Sequence, residues 1–570
     1  MSAPVGVARR TSRDTLLRAG GEAAVVLIAA FAAAVATTWP LVLHLGSYVH
    51  NGIDSPFQAW TIDHVQWAVT GHGSLWDANI FHPNRHTLAY SDSLIGVAVP
   101  LLPLRWLGLN PIAQLNMALL IGLTASAASG YLLGRVVSGR RAVGALTAVA
   151  FAFGPFEDVS TGHVHGTVHA GVALAATGAW WLADRVQRHA SLVAPLALLV
   201  GSVVWQMSVS FYPGAYAVVA VLLVLVVRAR DLGRRGLLAS AGGLVACGAA
   251  TLILMIPYIQ VVREGRPFAQ STGSVAGLGA NFTAVNERLA LWGGILGNDR
   301  VLAPAFPGVA LLLLAAVGLV FGLRSAGRQH RTATTGLVFV VIGAFLALGT
   351  ASHGWRSYSP YRVFFEFVPG FSALRATYRA WIIGLIGLGL LAGLGCVGLG
   401  RWLAARERTK TVGVAVVAAV VALAVLIEGF GSWGDRPRAA VSKVDRALER
   451  EPRSGGVLYL PALVQSGPLA AATTFGQVEN VFGTTAHHRD TPNGYSGLAP
   501  REFRSLSARM RALPSSRALD ELRSLGVRFV VVRGSVGGTP WEQLLDPPRA
   551  APLRLVGHYG SDVLYEVPSR

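Results

Sequence analysis

Lysine is almost missing from this chain of 570 residues: of 48 Lys and Arg residues, only Lys410 and Lys443 are lysines. Cysteine is equally scarce. Cys247 and Cys396 both lie inside apolar stretches, which excludes a disulfide framework and leaves the redox compartment open. Acidic residues number 29, and charged residues of both signs make up only 14% of the chain. With 52% hydrophobic residues and a mean hydropathy of +0.50, the chain is too apolar for a soluble multidomain protein and fits a polytopic helical membrane protein. There is no Walker loop, no H-E-x-x-H and no G-x-S-x-G, so ATPase, zincin and lipase readings lack their motif. The net charge of +19 does not imply nucleic acid. The arginines fall in short clusters between apolar runs, as the positive-inside rule expects of cytoplasmic loops. Their excess over lysine reads as compositional bias.

What is present is a series of apolar runs. The first, 23–45, is long enough to cross a hydrocarbon core of roughly 30 Å and lacks an A-x-A-like site, so it reads as a span and not as a cleaved signal. Arg9, Arg10, Arg13 and Arg18 precede it and place residues 1–22 in the cytoplasm, with the loop 47–111 outside. That loop predicts a short helix near 56–69. The next apolar piece, 94–107, carries Pro100, Pro103 and Arg105. At about 14 residues it reads as an interfacial or re-entrant helix. Taking 113–133 as the second span keeps Arg135, Arg140 and Arg141 cytoplasmic. Further spans are expected near 142–156, 167–184, 191–206, 211–228, 236–258, 303–323, 334–350, 381–400 and 411–430, giving about eleven in a transmembrane region 23–430. Gly242-Gly243 and Gly387/Gly389 read as sites of close helix packing. Residues 431–570 have the composition of a small external α/β domain: strands at 457–461 and 527–532, amphipathic helices between them, and a hairpin at 553–567 turning near Gly560-Ser561-Asp562.

The external segments hold the candidate chemistry. The first loop carries Asp54, Asp63, Asp77 and Asp92. Asp54, in GIDSPF, is the candidate general base, with the N-cap of the loop helix as its structural alternative. Asp92, in AYSDSLIG, is a candidate binding residue that would otherwise cap the interfacial helix. Asp158, in FEDVSTGHVHG, is a second candidate acid. With His163 and His165 it forms a weak candidate set for a divalent metal, polar solvation at a span end being the alternative; no other cofactor is indicated. Arg375 and Arg379, external despite their charge, suit bidentate phosphate binding, and Arg362 stands close by in sequence. A salt bridge to Glu366 or an anionic headgroup is the alternative for these arginines.

The order of first span, large external loop with an early Asp, interfacial helix, further spans and external C-terminal domain resembles the GT-C superfamily of polyprenyl-phosphate-sugar-dependent glycosyltransferases. The segments NIFHPNRHTLAYSDSLIG, AFAFGPFEDVSTGHVHG, VPGFSALRATYRAWIIGLIGLGLLAGLG and NGYSGLAPREF are similar to a bacterial group assigned there. The resemblance implies a multi-pass enzyme of the bacterial cytoplasmic membrane that takes a polyprenyl-phosphate sugar as donor and a glycan, lipid or protein as acceptor. Its loop carboxylate would correspond to Asp54 and its second external acid to Asp158. The first loop has no acid-x-acid pair and the C-terminal domain no WWDYG motif, which speaks against the asparagine-linked oligosaccharyltransferase type. Two rival readings remain open at this point: a transporter or flippase for a lipid-linked glycan, and a non-catalytic cell-envelope assembly protein.

Overall fold

The computed structural model describes residues 5–156, 162–264, 279–297, 303–350, 361–367, 376–407, 412–431, 436–452, 454–462, 470–497 and 499–569. In chain order its principal helices are α1 (Val5–Thr37), α2 (Asp54–Trp67), α3 (Pro111–Ser138), α4 (Arg141–Ala152), α5 (Ala170–Gln187), α6 (Val193–Val209), α7 (Phe211–Val227), α8 (Ala229–Arg263), α9 (Val309–Leu323), α10 (Arg328–Ala347), α11 (Trp381–Glu407) and α12 (Val412–Glu428). The C-terminal region adds α13 (Lys443–Arg450), β1 (Gly456–Leu460), α14 (Ala470–Gly483), α15 (Arg501–Arg509), α16 (Ser516–Ser524), β2 (Val527–Val532), β3 (Arg554–Tyr559) and β4 (Asp562–Glu566). Two compact units result. The first comprises Met1–Leu43, Met117–Thr251 and Gln270–Asp435; the second comprises His44–Asn116, Leu252–Ala269 and Arg436–Arg570.

The first unit is a helical body. Among the described residues, α1, α3, α8, α10 and α11 are long and apolar enough to cross a membrane, and α4, α6, α7, α9 and α12 are shorter apolar helices. Burial sorts them. Only 11% of the apolar stretch of α1 and 17% of that of α8 is buried, against 89% for α11. An apolar helix that leaves Val25, Ile28, Val245 and Ile253 exposed is one whose outer face meets lipid instead of protein.

α11 is buried because glycine lets its neighbours come backbone to backbone. A Cβ on Gly389 would meet the Thr147 backbone, one on Gly393 the Val143 backbone and one on Gly387 the Gly336 carbonyl, so α4 and α10 lie directly against it. This is the close packing anticipated for Gly387 and Gly389. Of the Gly242-Gly243 pair, Gly242 has open space where its Cβ would be, whereas a Cβ on Gly243 would meet Leu196 of α6 at 3.2 Å. The start of α9 is capped from a distance: Glu428, at the end of α12, accepts the N–H groups of Val309 at 2.9 Å and Ala310 at 3.3 Å. A carboxylate there complements the positive end of the helix.

Two boundaries differ from expectation. The first helix ends at Thr37, not near 45, and a 3-10 turn follows at Leu41–Leu43; Pro40 has no N–H to continue the ladder and disfavours helical geometry at Trp39. The 94–107 piece is two separate turns, Ile95–Ala98 and Leu102–Trp106, parted at Pro100 for the same reason.

In the second unit a four-stranded sheet of order β1-β2-β4-β3 is parallel between β1 and β2 and antiparallel elsewhere. The β3–β4 hairpin turns at Gly560, whose φ of 76° lies in the left-handed region. Strand alternation divides the core. Leu458, Leu460, Val530 and Val532 pack with Leu506, Met510, Leu519 and Leu522 of the flanking helices. On the opposite face Val457, Tyr459 and Phe529 pack with Val444 and Leu448 of α13. Between sheet and α13 lies a buried polar network. Arg533 donates to Asp445 at 3.1 Å, Asp562 at 3.0 Å and Asn480 at 3.1 Å. Tyr459 donates to Asp445 at 2.7 Å and lies 2.9 Å from His487 Nε2. The Arg489 N–H donates to His487 Nδ1 at 3.1 Å, so Nδ1 is unprotonated and the proton sits on Nε2.

Two outcomes follow. Gly393→Leu forces a side chain into the α4 backbone and should lower the stability of the first unit by about 1–3 kcal/mol or more, read as a lower melting midpoint in detergent. Burial, first of all, drives the pKa of His487 down to about 3, so below the ordinary imidazole value of about 6.5 the unfolded chain binds a proton that the folded one refuses. Stability should therefore fall as pH drops from about 6.5 toward 3, by at most about 1.4 kcal/mol per pH unit. Denaturation measured across that window should show a shallower slope in His487→Gln.

Candidate active site

α2 starts in the polar loop that follows the first helix. Its N-terminus is capped by Asn51, whose Oδ1 accepts the N–H groups of Ile53 at 3.0 Å, Asp54 at 2.6 Å and Ser55 at 3.3 Å. The capping role open to Asp54 on sequence grounds thus belongs to Asn51. Asp54 sits half-buried in the first turn, and the Tyr495 hydroxyl donates to its Oδ1 at 3.3 Å. Phe57, one turn on, meets the Tyr495 ring edge-on at 5.3 Å and stacks with Trp60 at 5.5 Å. Tyr495 is placed from the C-terminal side by Asn493, which exchanges hydrogen bonds with the Tyr459 backbone and whose carbonyl accepts from Phe81. Thr491 exchanges backbone hydrogen bonds with Asn79 and His82 in the same way. The first loop and the C-terminal α/β region are therefore one hydrogen-bonded body.

Nine residues after Asp54, two and a half helical turns, comes Asp63 on the opposite face of α2. It is buried. Its Oδ1 takes Arg105 Nη1 at 2.6 Å and its Oδ2 lies 2.7 Å from His488 Nε2. The His488 ring stacks on Trp67 at 3.8 Å with planes only 5° apart. Sequence reading placed Asp63 in the loop but gave it no role. The Asp63/Trp67 spacing put both on one helix face, but nothing local pointed to Arg105 or His488. Asp92 is not a cap either: Leu94, at φ 52°, precedes the Ile95–Ala98 turn. Asp92 interacts electrostatically with Tyr258, whose hydroxyl donates to the Ser91 carbonyl at 3.1 Å.

In the first unit, Arg379 lies in the 3-10 turn Thr377–Ala380 that leads into α11 and is buried. Its Nη1 donates to His165 Nε2 at 3.1 Å, and its guanidinium stands 5.4 Å from the centre of the Tyr212 ring and 5.9 Å from that of Tyr378. The His163 and His165 rings meet edge to face at 5.4 Å. Burial, then the Arg379 charge, then His163 hold the His165 pKa well below the ordinary imidazole value, so His165 is a neutral acceptor. A divalent cation on His165 Nε2 would face that guanidinium and displace its hydrogen bond. Among the described residues no three His, Cys, Asp or Glu side chains gather as a metal site. Arg362 pairs with Glu366 at 2.8 Å on an exposed face, the alternative considered for it. Asp158 and Arg375 lie outside the described residues.

The two loop carboxylates should separate by their stability effects. Asp63→Ala strands Arg105 and His488 and should destabilise the second unit by about 3 kcal/mol. Asp54→Asn, which keeps the side chain's size at a half-buried first-turn position, should cost less. Denaturant unfolding of both variants checks the contrast.

No protein-family model and no curated protein matches the chain. Among solved structures it is similar to the apo oligosaccharyltransferase of Archaeoglobus fulgidus, at 11% identity over 96% of this chain and 74% of that one with a TM-score of 0.49. It is likewise similar to ArnT from Cupriavidus metallidurans bound to undecaprenyl phosphate, at 12% identity over 96% and 98% with a TM-score of 0.48. A third is the arabinofuranosyltransferase AftD from Mycobacteria, at 14% identity over 96% of this chain and 41% of that one with a TM-score of 0.47.

Proposed function

We propose that the chain is an integral membrane glycosyltransferase that moves a sugar from an undecaprenyl- or decaprenyl-phosphate carrier to a glycan, lipid or protein acceptor on the outer face of the bacterial cytoplasmic membrane. Residues 1–22 are cytoplasmic in this reading, and loop 47–111 and domain 431–570 are extracytoplasmic. The observation that carries it is the placement of Asp54: it stands half-buried in the first turn of α2 with the cap supplied by Asn51, and its Oδ1 accepts from the Tyr495 hydroxyl.

The reaction is an inverting single displacement. Asp54 takes the proton of the acceptor hydroxyl, the acceptor oxygen bonds to the anomeric carbon, and the bond from that carbon to the phosphate oxygen breaks with its electron pair leaving on the phosphate. Arg379, with Arg375, stabilises that phosphate; neutral His165 orients the Arg379 guanidinium by accepting from it. Asp158 positions the acceptor, and Asp92 lies on the loop that receives it.

Incubation of the purified full-length protein with radiolabelled polyprenyl-phosphate sugars should release the sugar from its carrier. Asp54→Asn should slow that turnover by about 10²–10⁴-fold at unchanged expression and melting midpoint. A variant that turns over normally removes Asp54 from the mechanism. Movement of labelled lipid across vesicles without carrier turnover would instead favour a flippase.

A further inference from the structure

A groove of about 630 Å³ runs along α1 in the first unit, walled by α1, α3, α4 and α12. Its lining is graded. Arg18, Glu22 and Tyr131 stand with Arg141 toward one end, and the rest of the wall is apolar, including Val26, Ala33, Phe153 and Leu426. From Arg18 to Ala33 the groove follows α1 for about 22 Å at 1.5 Å per residue. That exceeds one leaflet of a hydrocarbon core of about 30 Å.

The charged end is anchored and still has positive charge to spare. Glu22 accepts from Tyr131 at 2.6 Å, from Arg135 Nε at 3.2 Å, and from Arg141 Nε and Nη2 at 2.9 and 2.7 Å. Those bonds use one edge of the Arg141 guanidinium, yet the Arg141 side chain is 71% exposed. Arg18 is exposed too. The charged residues lining the groove are thus two arginines and one glutamate, and beside them Arg140 is half-buried and repelled by Arg401. A cationic head above a long apolar channel matches an amphiphile with an anionic head.

We propose that this groove binds an anionic glycerophospholipid, its phosphate between Arg18 and Arg141 and one acyl chain laid against α1 toward Ala33. Zwitterionic lipids bring their own cation to the phosphate and lose that advantage. The site completes the packing of α1, which makes few contacts of its own with the helical body. It is independent of glycosyl transfer and does not rest on that reading.

The test is native mass spectrometry of the full-length protein in a non-ionic detergent with added phosphatidylglycerol or phosphatidylcholine. A one-to-one phosphatidylglycerol adduct should persist under activation that strips phosphatidylcholine. Arg18→Gln should weaken it about fivefold. Ala29→Trp, which fills the groove at an exposed position without touching a charge, should abolish it while the protein elutes as the wild type does. Equal retention of the two lipids overturns the proposal, as does an adduct indifferent to both substitutions. Stronger retention of undecaprenyl phosphate than of phosphatidylglycerol overturns it as well.

Discussion

The first unit depends on one packing constraint, the approach of helix backbones across the glycines of α11. Among helices surrounded by lipid, apolar side chains gain little by turning inward, because lipid tails are as apolar as leucine. Association must come from contact. Glycine permits it by removing the side chain that would hold backbones apart, and α11 places glycines opposite α4 and α10 on successive turns. The consequence reaches the chemistry. Arg379 sits in the turn that begins α11, so the most buried of the five membrane-length helices also fixes the guanidinium held by His165 and flanked by Tyr212 and Tyr378.

The second unit solves a different problem. Its first-loop segment is joined to the C-terminal region by polar pairings that reach far along the chain. Backbone hydrogen bonds from Phe81 and His82 to Asn493 and Thr491, and from Thr491 to Asn79, act with the Asp63 ion pairs. Ion pairs of this kind contribute mainly by punishing their own disruption, since an uncompensated buried charge is far costlier than a satisfied one is favourable. They therefore specify where α2 sits, and with it the first turn that carries Asp54.

Much of this was legible in the sequence where periodicity or composition is local. β2 matches the apolar run VRFVVV, and the hairpin turns at Gly560-Ser561-Asp562 as the turn chemistry requires. Helices lie at the expected spans, but only α1, α3, α8, α10 and α11 are long and apolar enough to cross a membrane among the described residues. Two kinds of feature escaped. The 94–107 piece was read as one helix because its hydrophobicity is continuous, although Pro100 withholds the N–H that continuity needs. The joining of loop and C-terminal region was invisible because its partners, such as Asp63 and His488, are separated by hundreds of residues, and no local pattern encodes a contact of that range. The capping alternative for Asp54 fails for a simpler reason: Asn51 takes the cap, since its side chain reaches three N–H groups at once.

The two aspartates of α2 show why a carboxylate's neighbours matter more than its presence. A general base needs an electron pair that can accept a proton in the transition state, and cations or N–H donors fixed on both oxygens stabilise the charged form that must be surrendered. Asp63 is in that condition, with a guanidinium on one oxygen and an imidazole on the other. Asp54 accepts from the Tyr495 phenol at 3.3 Å, long for an O–H···O⁻ bond, and Asn51 takes over the cap of its helix. Half a helical circumference thus separates an aspartate held by two basic side chains from one that reaches the Tyr495 hydroxyl. The division is built into a single nine-residue offset.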